Sequence, residues 1–239
     1  MLGIKNWDNK TWISSREYIK SFNNFIIKQK KLNKESKILD IGCGRGKIIG
    51  TLSSKLRLIN KPIGVDIEKH KDVDKRIIFK RINAIKYLKN NKKNFDLILI
   101  KQTIHLFNDK EIRKILDYAY SNLNINGVIL ILSLDPKNNE IPTFTLMAKK
   151  LQISFNKEAI IKNNILKFMK KKTITKFNFK VNIKKRIYIN MIKQRYISSL
   201  LSLKNDQILR GIKEINIKYK SNIIFKDKLN CVIFKKIKN

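Results

Sequence analysis

The sequence predicts an α/β fold: a doubly wound, mostly parallel sheet of seven strands, capped by an N-terminal helix and a late helical insertion. Three observations carry this. Short apolar runs rich in Ile and Val recur between residues 37 and 132, nearly continuous rather than alternating, as strands buried on both faces require. Helical patterns separate them. A turn with Gly42, Gly44 and Gly46 closes the first run and opens the first intervening helix.

Taken in order, "TWISSREYIKSFNNFIIKQKKL" at 11–32 reads as an amphipathic helix carrying Trp12, Tyr18, Phe22 and Phe25. Strands follow at 37–41, 62–67, 77–82, 95–100 and 127–132. Between the first two, "GKIIGTLSSKL" is helical; after the fourth, 108–123 opens on Asn108 as a cap, has Asp109 and Glu111 in its first turn, and places Ile112, Ile115, Leu116 and Ala119 on one face. Beyond residue 135 the pattern changes. Residues 141–170 and 184–218 read as mostly helical, with a sixth strand at 173–181 built on Ile174, Phe177, Phe179 and Val181, and a closing strand within 227–239. The expected organisation is one domain over 1–239: a cap helix in 1–34, a core at 35–135, an insertion at 136–226, and the closing strand.

The formal net charge is +36, which by sign alone suggests an anionic partner. Yet Lys, Ile and Asn make up roughly half of the chain, far above ordinary usage, and the lysines run from Lys5 to Lys238. Such dispersal points to compositional drift; only 167–186 is dense enough to suggest a binding stripe. Two cysteines, Cys43 and Cys231, give no disulfide framework, so a reducing, cytoplasmic setting is the default. No secretory leader is read in "MLGIKNWDNKTW", no apolar run approaches the ~20 residues of a bilayer span, and no metal site is expected.

The glycine turn separates three ligand classes. A P-loop needs G-x-x-x-x-G-K-[ST], but the first glycine would fall on Ile41 and the hydroxyl on Ile48. A dinucleotide turn wants a small residue where Lys47 stands. What remains is G-x-G-x-G, a turn that approaches a nucleoside and an amino-acid tail.

"LDIGCGRG" resembles the first motif of the class I S-adenosylmethionine-dependent methyltransferases, whose fold is Rossmann-like. "FDLILIKQTIHLF" is similar to the fourth-strand motif of small-molecule members of the trans-aconitate type, including His105; "LNINGVILI" resembles the turn into their fifth strand, with Asn126 for its first glycine. The resemblance spans roughly residues 35–135 and implies S-adenosyl-L-methionine as cofactor and S-adenosyl-L-homocysteine as product. Carried over residue by residue, it implies Asp40 against the methionine ammonium, and Gly42, Cys43, Gly44 and Gly46 as the turn. Asp66 then takes the ribose hydroxyls, Ile67 the adenine face, and Asn83 with Ala84 the adenine edge; relatives often have an acid where Asn83 stands. Lys101, counted among the cofactor contacts, stands where those relatives commonly carry Asn or another small polar residue.

Methyl transfer from a sulfonium asks for alignment of the acceptor and removal of its proton. His105 is the candidate base or acceptor ligand. Trp12, Tyr18, Arg195 and Tyr196 lie on segments that relatives fold over the acceptor, with Arg195 suited to a carboxylate. The expected reaction is transfer to an oxygen or nitrogen of a small molecule. An RNA methyltransferase using the basic surface is the second reading, although neither an N/D-P-P-Y/F signature nor a cysteine following the fourth strand supports it. A non-catalytic binding scaffold is the third.

Overall fold

A computed structural model of the chain describes residues 11–168 and 172–238. The expected cap therefore falls partly outside the described residues, as do residues 169 and 170 of the helix expected over 141–170. The elements are α1 (Arg16–Gln29), β1 (Ile38–Ile41), α2 (Lys47–Leu56), β2 (Ile63–Asp66), β3 (Ile78–Arg81), α3 (Ala84–Asn90), β4 (Phe95–Lys101), α4 (Asp109–Ser121) and β5 (Leu123–Leu134). They continue with α5 (Thr145–Phe168), β6 (Lys172–Lys184), α6 (Lys185–Lys193), α7 (Asn205–Lys218) and β7 (Asn222–Lys235).

The seven strands form one sheet in the order β3-β2-β1-β4-β5-β7-β6. Each neighbouring pair from β3 to β5 is parallel, and β7 runs antiparallel to both β5 and β6. Their apolar continuity is explained by burial on both faces. Along β4, Leu97 and Leu99 join one core with residues of α1, α2, α6 and α7, whereas Ile98 and Ile100 join the other with residues of α3 and α4 and the C-terminal half of α5. The α4 cap takes its expected form: Asn108 Oδ1 accepts from the Glu111 N–H, and the Glu111 carboxylate accepts from the Asn108 N–H.

Three strands are longer than the sequence suggests. β5 begins at Leu123, before its glycine, because Asn126 takes a left-handed φ of 64° and carries the turn within the strand. β6 and β7 pair with each other over 172–184 and 222–234, well beyond the β5–β7 ladder. Their second face carries lysines and asparagines, which hide the strand signal. Ile174 corrects the expected inward set: it has the opposite parity to Phe177 and Val181 and lies 48% exposed.

Candidate functional site

The strand order reverses direction between β1 and β4, the position at which open α/β sheets bind ligands beyond the carboxyl ends of their strands. The glycine turn leaves β1 there. The Gly42 and Cys43 N–H groups donate to the Val65 carbonyl at 2.8 and 3.2 Å, and Gly46 caps α2. All three glycines have positive φ, 70°, 53° and 69°, which L side chains resist. Their empty Cβ positions serve different ends. At Gly42 a Cβ would lie 2.2 Å from Thr103 Oγ1, beyond β4, and at Gly46 it would lie 2.2 Å from Ile77 Cδ1. At Gly44 it would meet nothing within 4 Å. Gly42 and Gly46 thus allow the protein to close on itself, and Gly44 alone leaves its backbone open.

Asp66 ends β2 beside this turn. Its Oδ2 accepts from the Gly44 N–H at 2.9 Å and its Oδ1 from the Glu68 N–H at 2.9 Å, with His70 Nε2 at 3.5 Å from Oδ2. Burial pushes the carboxyl up, but His70 and the two amides outweigh it and hold it below the ordinary value, so it stays ionised. The adjacent Ile67 is 50% exposed. Asn83 caps α3: its Oδ1 accepts from the Ile85 and Lys86 N–H groups at 2.9 and 3.2 Å. Both lone pairs of that oxygen are engaged, so it has none left to accept from an adenine amino group in this arrangement. The Asn83 amide and the Ala84 backbone are what that edge can offer. The Cys43 thiol is raised well above its ordinary value by burial and then by Asp40 and Asp66, which makes it no nucleophile.

A buried polar layer lies behind the turn. Asp40, 4% exposed, is pushed up to about 8 by burial; Lys101 pulls it down and Asp66 adds to the rise. The Lys101 ammonium donates to Gln102 Oε1 at 2.8 Å and lies 5.4 and 5.5 Å from the Tyr18 and Phe22 ring centres. It also acts on Asp227 of β7, 1% exposed, which accepts from Trp12 Nε1 at 3.0 Å. Tyr18, fully buried, is held well above the ordinary phenol value by burial and by Asp227. The Trp12 ring meets the Tyr196 ring edge-on at 5.4 Å, and the Tyr196 hydroxyl lies 2.9 Å from that of Tyr188. Of the five residues read as acceptor contacts, Trp12, Tyr18 and Tyr196 are corrected: they are packed in one buried cluster and are not open to an acceptor. Arg195 is a correction: its guanidinium donates to the Leu203 carbonyl and Asn205 Oδ1 at 3.0 and 2.8 Å, tying the α6–α7 connection, and is not set to receive a substrate carboxylate.

His105 lies in a short 3-10 turn after β4, with Nδ1 buried 3.7 Å from Glu158 Oε1 of α5. Burial, then Lys157, lower the imidazole to about 4, so it is neutral at pH 7.

The methyltransferase-domain family model matches residues 32–190, more than half of the chain. The chain belongs to that family. Its members are S-adenosylmethionine-dependent enzymes, and the sheet found here is the class I methyltransferase fold. Solved structures share it. An S-adenosylmethionine-dependent methyltransferase from Archaeoglobus fulgidus is 21% identical, with 93% of this chain and 95% of that one covered and a TM-score of 0.55. The plantazolicin methyltransferase BpumL, in complex with a pentazolic desmethylplantazolicin analogue and S-adenosylhomocysteine, is 17% identical over 98% and 89%, with a TM-score of 0.53. Precorrin 8w decarboxylase of Methanobacterium thermoautotrophicum is 13% identical over 96% and 95%, with a TM-score of 0.51. Among curated proteins no sequence matches.

Three groups in this methyltransferase escaped the sequence reading: Asp227, Glu158 and His70. Asp227 shares parity with Phe225, Leu229 and Cys231, all inward-facing, so the period-2 pattern of the closing strand would have marked it as facing the core. Glu158 interrupts the apolar stripe Met147, Leu151, Phe155, Ile161 and Ile165 of α5. No sequence signal marks His70, which reaches Asp66 through a loop. Among the described residues no helix is long and apolar enough to cross a membrane.

Proposed function

We propose that this methyltransferase holds S-adenosylmethionine at the β1–β4 switch point and passes its methyl group to an oxygen or nitrogen of a small molecule, with His105 taking the acceptor's proton. The observation that carries the reading is the Asp66–Gly44 pairing: an ionised carboxylate fixed on the amide of the one turn glycine whose Cβ position is open. That pair fits a ribose diol beside a backbone edge. Ile67 supplies an apolar adenine floor, Asn83 and Ala84 its edge, and Asp40 a partner for the methionine ammonium. Gly42, Cys43 and Gly46 shape the turn, and Lys101, the remaining cofactor contact, sets the charge beside Asp40. The acceptor lies beside His105, and the buried cluster of Trp12, Tyr18 and Tyr196 supports α1 and the insertion without touching it. BpumL's pentazolic ligand suggests azole-bearing acceptors as a class to include.

Asp40 makes binding pH-dependent. Its carboxyl is protonated below about 8, so accepting a cationic ammonium there releases a proton. Affinity for S-adenosylmethionine should rise about tenfold per pH unit between pH 6 and 7. It should peak near pH 8, where the ligand's own amine, with a pKa of roughly 8, loses its charge. Calorimetry in buffers of different ionisation enthalpy reads that proton directly, and Asp40→Asn should flatten the rise.

The whole reading is tested by incubating the protein with methyl-labelled S-adenosylmethionine and a fractionated cell extract. Label is expected in the low-molecular-weight fraction. Incorporation into RNA instead, resistant to moderate salt, would overturn the small-molecule assignment.

A further inference from the structure

Glu158 stands where the apolar stripe of α5 meets the core, 7% exposed, and the residue across from it is His105. An isolated carboxyl in such a position is costly to bury. Two of the atoms in question lack hydrogen-bond partners although both are fully buried: His105 Nδ1 and Glu158 Oε2. Nδ1 lies 3.7 Å from Glu158 Oε1, so a shift of under about 1 Å closes the bond. Beside Glu158 a cavity of ≈ 10 Å³, also lined by Ile104, Ser133, Ile161 and Lys162, leaves that side chain room for the adjustment. The imidazole is still 24% exposed, and its Nε2 is not among the buried, unpartnered atoms. One ring nitrogen thus faces a carboxyl inside the protein, while the ring as a whole keeps some exposure, four residues after Lys101.

We propose that Glu158 is the positioning residue of this methyltransferase: its carboxylate holds the His105 Nδ1–H, which leaves the Nε2 lone pair free to take the proton of the methyl acceptor. The inference rests on the proposed methyl transfer. In that step the acceptor's lone pair forms the new bond to carbon, the carbon–sulfur bond breaks toward sulfur, and the acceptor proton moves to Nε2. The resulting imidazolium is stabilised by Glu158. The insertion that closes over the acceptor side would then also supply the group that orients the base.

The charges around the pair fit this division. Burial raises Glu158 to about 7, opposed by the Leu134 N–H, and burial with Lys157 holds His105 down to about 4. Lys162 of α5 lines the cavity, and Asp109 of α4 is held by Asn164 of α5 at 3.3 Å. The pair therefore carries one proton between about pH 4 and pH 7. Above about 7 it reaches the state the step needs, an ionised carboxylate beside a neutral imidazole.

Nitrogen-15 NMR of the full chain tests this without a known acceptor. Only two histidines occur, and the signal lost in His105→Gln identifies the relevant ring. At pH 8.5 its neutral form should carry the proton on Nδ1, and its shifts should step near pH 7; Glu158→Gln should abolish that step. An Nε2–H tautomer in the wild type, or an unchanged titration in Glu158→Gln, overturns the proposal. The wild-type tautomer decides even if the variant does not fold. Label transfer into the low-molecular-weight extract, measured at saturating S-adenosylmethionine so that the Asp40-linked change in affinity does not count, should rise with pH through about 7 in the wild type. In Glu158→Gln it should be flat and at least tenfold slower; a variant that keeps the wild-type profile shows a purely structural glutamate and overturns the role. Loss of S-adenosylmethionine binding in the wild type would sink the methyl-transfer reading and leave the NMR result standing.

Discussion

Asp66→Ala should reduce S-adenosylmethionine affinity by about two to four orders of magnitude, because two charge-assisted hydrogen bonds to the ribose diol are worth roughly 1.5–3 kcal/mol each. The effect is larger than that of an ordinary surface carboxylate for two reasons visible in the structure. Asp66 is held ionised by the Gly44 and Glu68 N–H groups and by His70, so no energy is needed to charge it when ligand arrives. It also organises the turn, since its Oδ2 is the acceptor for the Gly44 N–H. The variant leaves that amide without its carboxylate, costing about 1–3 kcal/mol of stability if the amide stays dry. For a chain of this size each kcal/mol lowers the thermal midpoint by roughly 2–4 °C. Asp66→Asn should separate the two roles: the amide oxygen can still receive the Gly44 N–H, so stability recovers, whereas affinity stays about tenfold low for want of charge. Calorimetry paired with thermal unfolding reads both. Binding of Asp66→Ala within threefold of wild type would remove Asp66 from the site.

The parts of this site visible in the sequence are those written in local grammar. The glycine spacing and the carboxylate ending the second strand each lie within a short segment, and the structure brings the turn and Asp66 together; the Asn108–Glu111 cap, equally local, forms at the start of α4 as expected. What escaped depends on contacts between segments far apart. Asp227 meets Trp12 across 215 positions, and nothing in "FKDKL" shows that an indole will arrive. Glu158 was hidden by a periodicity that sets the helix face but not the neighbour opposite. Arg195 was misplaced because an arginine in so basic a chain gives no sign of which carbonyls it will meet; the positive φ of 51° at Arg195 turns the chain so that it reaches Leu203 and Asn205. The extended β6–β7 ribbon was underestimated for a physical reason as well. Its second face is uncovered over much of its length, so polar residues there are compatible with a strand but do not announce one.

The glycines themselves supply the sharpest test of which turn atoms belong to the fold and which to the ligand. Gly42→Ala should be strongly destabilising: its Cβ would lie 2.2, 2.3 and 2.7 Å from Oγ1, Cγ2 and Cβ of Thr103. Overpacking of that kind together with a left-handed alanine costs about 3–5 kcal/mol, a fall on the order of 10 °C in thermal midpoint. Gly44→Ala meets no neighbour within 4 Å and carries only the left-handed penalty, about 1–2 kcal/mol. Its methyl group, however, projects into the open space that the proposal gives to the cofactor, so affinity should fall at least tenfold with little change in fold. The two variants are expected to separate, one losing stability and the other binding. Adding Thr103→Gly to Gly42→Ala removes all three clashing atoms and should restore more than half of the lost stability, a coupling that independent sites do not show. Equal melting losses in the two single variants, or no rescue in the double, would mean that Gly42 does not serve the contact with Thr103. Wild-type affinity in Gly44→Ala would mean that the open face of the turn is not where the cofactor lies.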